Sequence, residues 1–218
     1  MQNFDNKFLV ITGGCVDYDW AREWLSHRNY EYVIAADSGL EHADKLGIKV
    51  NFILGDYDSV SSAILDKYKN DTQVETYPCE KDFTDTHLAI ITAIKQGAES
   101  IDVIGATGSR MDHAMTNIYV MKTALDTQTE CAIYDRHNKI YLLDGRCLIK
   151  KSEQYGSYVS FVPMTENVVM TLNGFKYPLE SYELKQGLSI CQSNEIVQEH
   201  AEIIVENGIV VVFESRDK

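Results

Sequence analysis

The sequence of 218 residues contains only three prolines, no Pro/Ser-rich stretch, no low-complexity segment and no internal repeat, so nothing in its composition marks a linker or a repeat array. No apolar run approaches the roughly 18 residues of a membrane span. The N-terminus lacks a charged region followed by a long apolar core. A soluble, unexported protein with no membrane partner is expected. Cys15, Cys79, Cys131, Cys147 and Cys191 are odd in number and scattered, with no Cys-x-x-Cys pair, which argues against a disulfide framework or a zinc site. A reducing, cytoplasmic setting fits. Basic residues are also scarce: 20 Lys and Arg against 33 Asp and Glu give a net charge of −13, which disfavours nucleic acid and anionic membrane as partners. Gly-x-Ser-x-Gly, Walker A and Gly-x-Gly-x-x-Gly are all missing.

What is present is an alternation of short apolar runs and helical periods through the first 125 or so residues. Strands are expected at Phe8 to Thr12, Tyr32 to Ala36, Phe52 to Gly55, Val74 to Tyr77 and Ile101 to Ile104. Helices are expected between them, around Trp20 to His27, Leu40 to Leu46, Ala63 to Lys69, Leu88 to Ile94 and Met115 to Leu125. Asp17 or Asp19 could cap the first of these, and Gly47 suits the end of the second. Alternation of this kind predicts an α/β domain, a mostly parallel sheet with helices on both faces. Ligands of such sheets bind beyond the carboxyl ends of the strands. The unusual residues fall there: Gly13-Gly14, Asp37, Asp56 with Asp58, Asp82 with Asp85, and the run from Gly105 to His113.

After about Asp135 the period changes to short strands without helices. Candidates are Ile140 to Leu143, Cys147 to Lys150, Tyr158 to Val162, Val168 to Leu172 and Leu188 to Cys191. Asn207-Gly208 between Ala201 to Val205 and Ile209 to Phe213 predicts a hairpin. Two domains follow from the change of period: residues 1–136, α/β, and residues 137–218, an all-β sandwich or barrel.

Asp56 and Asp58 lie two apart after an apolar strand, so in extended backbone their side chains leave on one side. Crowded carboxylates suit Mg²⁺, although Gly, Asp and Ser also favour turns, and on this stretch alone the two readings stand level. Asp82 and Asp85 resemble a capping pair taken alone; a shared Mg²⁺ is the better account beside Asp56 and Asp58. The run from Asp56 is no EF-hand, since Val60, Ser61 and Lys67 occupy the positions of a ligand, the glycine and the final glutamate. Gly105 to His113 collects glycines, hydroxyls and Arg110 before a helix, a plausible phosphate cradle. His113 alone carries no catalytic weight.

In order along the chain, Asp37-Ser38-Gly39, Gly55-Asp56-Tyr57-Asp58-Ser59, Lys81-Asp82-Phe83-Thr84-Asp85, Gly105 to His113 and Gln192-Ser193-Asn194-Glu195 resemble the motifs of the bacterial-type thiamine pyrophosphokinase family. Ser38 departs from the glycine common in that family. The resemblance implies a catalytic domain, a β-sandwich that binds thiamine, and a homodimer with active sites between subunits. It assigns Asp56, Asp58, Asp82 and Asp85 to Mg²⁺. ATP falls to Asp37, Asp56, Asp58, Lys81, Arg110 and His113, and the reacting site to Asp82, Asp85, Arg110 and Asp112. Ser193 and Asn194 are assigned to thiamine. The implied reaction converts ATP and thiamine to AMP and thiamine diphosphate. Rivals are a pyrophosphokinase of another alcohol, such as a hydroxymethylpterin, and a non-catalytic thiamine or nucleotide sensor.

Overall fold

A computed structural model describes residues 6–55, 61–68, 72–76 and 82–217. The chain divides into two compact units, residues 1–136 and 137–218.

The first unit opens with β1 (Lys7–Ile11), α1 (Tyr18–Ser26), β2 (Tyr32–Ala36), α2 (Gly39–Leu46) and β3 (Phe52–Gly55). α3 (Ser62–Tyr68), β4 (Gln73–Thr76), α4 (Asp85–Lys95) and β5 (Ser100–Ile104) follow, then α5 (Met111–Val120), α6 (Lys122–Leu125) and β6 (Glu130–Tyr134). Strand order is β4-β3-β2-β1-β5-β6, with every neighbouring pair parallel. β3 and β5 are buried at every residue, and β1 and β2 at every residue but the first, as strands covered on both faces must be. The chain steps outward from β1 to β4 and then returns to the far side of β1. That reversal sends α4 to the opposite face from α2 under the right-handed crossover rule, and both helices pack on β1 and β2. The expected doubly covered parallel sheet is therefore present.

Local signals explain the helix ends. Asp17 caps α1 by accepting from the Trp20 amide at 3.0 Å, and Gly47 ends α2 in the left-handed region at φ +69°. The helix expected to run through Met121 to Leu125 is instead two, α5 and α6, parted at Met121. β6 was not expected. Gln128, at φ +58°, makes the turn into it without glycine or proline, so the usual punctuation is missing.

The second unit consists of β7 (Asn138–Leu143), β8 (Arg146–Lys150), β9 (Tyr158–Pro163), β10 (Val168–Asn173), β11 (Leu179–Leu184), β12 (His200–Asn207) and β13 (Val210–Ser215). One layer runs β7-β13-β9 and the other β11-β10-β12-β8, all antiparallel. Both layers supply one core: Val159, Phe161 and Val212 from the first, Met170, Leu172 and Ile203 from the second. Phe161 and Phe175 meet edge to face at 5.8 Å within it.

Two expectations fail here. β12 and β13 do not form a hairpin; they lie in different layers. Val205, Val210 and Val212 all enter the shared core, so Asn207-Gly208 turns the chain from one layer to the other. Leu188 to Cys191 is not a strand. Leu188 and Ile190 are exposed, and Gly187 and Cys191 both take positive φ. β11, polar and largely exposed, went unread for lack of an alternating apolar pattern. Among the described residues no helix is long and apolar enough to cross a membrane, and Cys15, Cys131, Cys147 and Cys191 form no disulfide.

Gly208 sits at φ +83°, where a Cβ would fall 2.7 Å from Thr165 Oγ1 and 3.0 Å from Val168 Cγ2. Gly208→Ala is expected to lower stability by about 1–2 kcal/mol, the cost of a left-handed Cβ, read by urea unfolding. An unchanged midpoint would show that the turn between layers tolerates a side chain.

Candidate active site

The carboxyl ends of β1, β2 and β5 meet at the point where strand order reverses, the place where open α/β sheets bind ligands. There the backbones themselves interlock. Thr12 N–H donates to Ile104 O at 2.9 Å, Gly14 N–H to Gly105 O at 2.6 Å and Cys15 N–H to Thr107 O at 2.7 Å. A Cβ on Gly14 would stand 2.2 Å from Gly105 O and 2.4 Å from Thr107 O. Only glycine permits that approach. The loop after β5 is tied down further by Asn117 Nδ2, donating to Ala106 O at 2.8 Å, and by Thr107 Oγ1, donating to Asp135 Oδ2 at 2.9 Å.

The loop after β2 brings Asp37 to the same edge. Its N–H donates to Leu54 O at 2.8 Å and its φ of +48° is rare for a residue with a Cβ. Ser38 lies at φ −60°, ψ −7°, so its departure from glycine needs no special backbone. Its Oγ instead fills the space where Gly13 has no Cβ.

Asp56, Asp58 and Lys81 lie outside the described residues. Asp56 directly follows Gly55, and a Cβ on Gly55 would stand 3.1 Å from Asp37 Cα, so β3 releases the chain beside Asp37. Asp82 is exposed and Asp85 half-buried in the first turn of α4. The N-cap of that helix is Thr84, accepting from the His87 amide at 3.3 Å. Because α4 leads from β4 back to β5, its N-terminus belongs to the carboxyl edge of the sheet. Among the described residues no three metal-ligating groups converge. Asp82 and Asp85 are the described members of the expected Mg²⁺ set, whose other two, Asp56 and Asp58, lie outside the described residues. That all-oxygen donor set fits a hard cation such as Mg²⁺.

Arg110 and Asp112 form an exposed bidentate pair, Nε to Oδ1 at 3.2 Å and Nη2 to Oδ2 at 2.6 Å. The guanidinium pulls the Asp112 carboxyl down to about 2, which makes it a poor proton acceptor. His113 is exposed in the first turn of α5.

In the second unit Ser193 is exposed at φ +52°, and its N–H donates to Ser160 Oγ at 2.9 Å. Asn194 is 2% exposed. Its Oδ1 accepts from the Tyr177 amide at 3.0 Å and the Glu195 amide at 2.9 Å, and its Nδ2 donates to Tyr177 O at 2.8 Å. Asn194 thus fixes the backbone of Tyr177, whose ring remains 58% exposed beside Lys176.

The sequence matches the family of the thiamin pyrophosphokinase catalytic domain over residues 24–134 and of the thiamin pyrophosphokinase vitamin B1 binding domain over residues 146–210. The chain belongs to the thiamin pyrophosphokinase family. A thiamine pyrophosphokinase of Bacillus subtilis is 31% identical over 187 residues, covering 84% of this chain and 87% of that relative. The crystal structure of thiamine pyrophosphokinase from B. subtilis superposes with a TM-score of 0.86 at 26% identity, covering 98% of this chain and all of that one. That of Geobacillus thermodenitrificans gives 0.83 at 28% identity, covering 97% and 98%.

Sequence reasoning missed Asp135, because it follows the unread strand β6, and Tyr177, whose clamp depends on a residue 17 positions away. Asn194→Ala is expected to destabilise the second unit by about 1–2 kcal/mol, since it removes three hydrogen bonds to part-buried backbone groups of Tyr177 and Glu195. Chemical unfolding with an unchanged midpoint would show the clamp to be inert.

Proposed function

We propose that this chain transfers the pyrophosphoryl group of ATP to the hydroxyl of thiamine, giving thiamine diphosphate and AMP. The observation that carries the reading is the presence, in one chain and in order, of a catalytic-domain match and a vitamin B1 binding match. The interlocked loops at the strand-order reversal supply a plausible floor for the nucleotide.

In this reading Gly105 to His113, with Asp37 and Lys81, holds ATP. The thiamine hydroxyl attacks the β-phosphorus in line, the bond from that phosphorus to the oxygen of AMP breaks, and AMP leaves with its electron pair. Arg110 exchanges Asp112 for phosphate oxygens and stabilises their charge, while Asp112 keeps the guanidinium oriented beforehand. Asp82 or Asp85 takes the hydroxyl proton on a carboxylate oxygen that the metal leaves free. Bound at Asp56, Asp58, Asp82 and Asp85, Mg²⁺ would neutralise developing phosphate charge. Ser193 meets thiamine in the second unit, and Asn194 serves by position, because its amide is already committed to the backbone. The exposed Tyr177 ring offers an aromatic face to the cationic thiazolium. The working form is a cytoplasmic homodimer with active sites between subunits, as the family resemblance implies.

A vitamin B1 binding match over residues 146–210 favours thiamine over a pterin alcohol. A pure sensor would have no use for several crowded carboxylates.

The test is AMP formation from ATP and Mg²⁺, with and without thiamine. Thiamine-dependent AMP release is expected, falling at least about 100-fold in Asp58→Asn and stopping with EDTA. AMP formed only with another alcohol would overturn the substrate, and full turnover by Asp58→Asn would overturn the metal assignment. Tyr177→Ala is expected to raise KM for thiamine about 5–30-fold, with KM for ATP little changed, in steady-state kinetics. An unaltered thiamine KM would remove the ring from the site.

A further inference from the structure

His42, in the middle of α2, has no place in the reaction just described, yet both of its ring nitrogens are engaged at the edge of the candidate site. Nε2 lies 2.8 Å from Gly14 O and Nδ1 2.8 Å from the Tyr18 hydroxyl. A carbonyl oxygen can only accept, so Nε2 carries the proton. Nδ1 of the neutral ring is then the acceptor, and Tyr18 O–H donates to it. Burial of the ring pushes the His42 pKa down, which keeps it in this neutral form. Glu41 and Lys45, the charged groups nearest the ring, act on it in opposite directions.

The Gly14–Cys15 peptide that receives His42 at its carbonyl donates its own N–H, that of Cys15, to Thr107 O, while the Gly14 N–H, in the preceding peptide, donates to Gly105 O. A continuous chain therefore runs from Tyr18 at the start of α1, through His42 on α2 and the Gly14–Cys15 peptide, to Thr107 in the loop after β5. Thr107 Oγ1 to Asp135 extends it across the site. Every link is a hydrogen bond of 2.6–2.9 Å. Gly14 has no side chain with which to hold itself, and closeness to Gly105 forbids it one. Its orientation must come from outside the loop. His42 supplies it.

We propose that His42, braced by Tyr18, is the positioning residue that sets the Gly13-Gly14 loop against Gly105 to Arg110 and so fixes the phosphate end of the nucleotide site. The inference rests on the ATP reading above. A side chain that merely tied α2 to a loop would affect melting alone, whereas a positioning residue affects the nucleotide and spares thiamine.

The test compares His42→Ala, His42→Gln and Tyr18→Phe with the unaltered chain by ATP titration calorimetry, KM for each substrate and melting temperature. His42→Ala is expected to weaken ATP binding and raise KM for ATP about 5–10-fold, the equivalent of one or two hydrogen bonds. KM for thiamine should stay within about twofold by the same measure. Gln offers an N–H to Gly14 O and an oxygen to Tyr18, so His42→Gln should restore ATP affinity to within about twofold. Tyr18→Phe, which removes only one hydroxyl, should weaken ATP about 2–3-fold and decides the matter if His42→Ala does not fold. Unchanged ATP affinity in the folded variants overturns the proposal, whatever happens to melting, as does a Gln variant as impaired as Ala. If the unaltered chain binds ATP but makes no AMP, the reaction fails while the titrations still judge His42. If it does not bind ATP, both readings fall.

Discussion

At the reversal of strand order, the two loops after β1 and β5 are held together by their own peptides. Gly14 N–H reaches Gly105 O at 2.6 Å and Cys15 N–H reaches Thr107 O at 2.7 Å, and the first approach is open only to a residue without a Cβ. The surrounding elements follow from it. β1 and β5 must be adjacent and parallel for the loops to meet, and the buried runs Leu9 to Ile11 and Ile101 to Ile104 are what hold them so. The Asn117 amide, the Thr107 hydroxyl and the His42 ring then fasten the loops to α5, β6 and α2.

The division of labour between the units matches their construction. The first presents carboxylates, an arginine and backbone amides at one edge of a rigid sheet, an arrangement suited to phosphate and its counter-ion. The second is a sandwich with a single core, and its contribution is a buried Asn194 holding an exposed aromatic ring in place.

Much of this was legible in the sequence, for identifiable reasons. β1, β2, β3 and β5 are short unbroken apolar runs ended by Gly or Asp, and in a parallel sheet such endings fall on one edge, which located Asp37, Asp85 and Arg110 without coordinates. The assignment of Ser193 and Asn194 to thiamine rests on the family motifs alone, since no spacing argument supplies it. What failed did so where tertiary context overrode local signal. Asn207-Gly208 carries hairpin chemistry, but the demand that Val205 and Val210 share a core sends β13 into the other layer. β6 lacked a turn residue ahead of it, because Gln128 takes the left-handed angle itself. His42 and Tyr177 matter through contacts 28 and 17 residues away, which periodicity does not report.

The measurement that bears most directly on this account is ATP affinity of Gly14→Ala, titrated beside the unaltered chain with a folded near-ultraviolet spectrum required of both. If the interlocked peptides form the nucleotide floor, one methyl group driven between Gly14 and the Gly105 and Thr107 carbonyls should weaken ATP by at least about tenfold, roughly 1.4 kcal/mol. A folded Gly14→Ala chain that binds ATP as tightly as the original would contradict the account, since the loops could then part without cost to the site they are said to build.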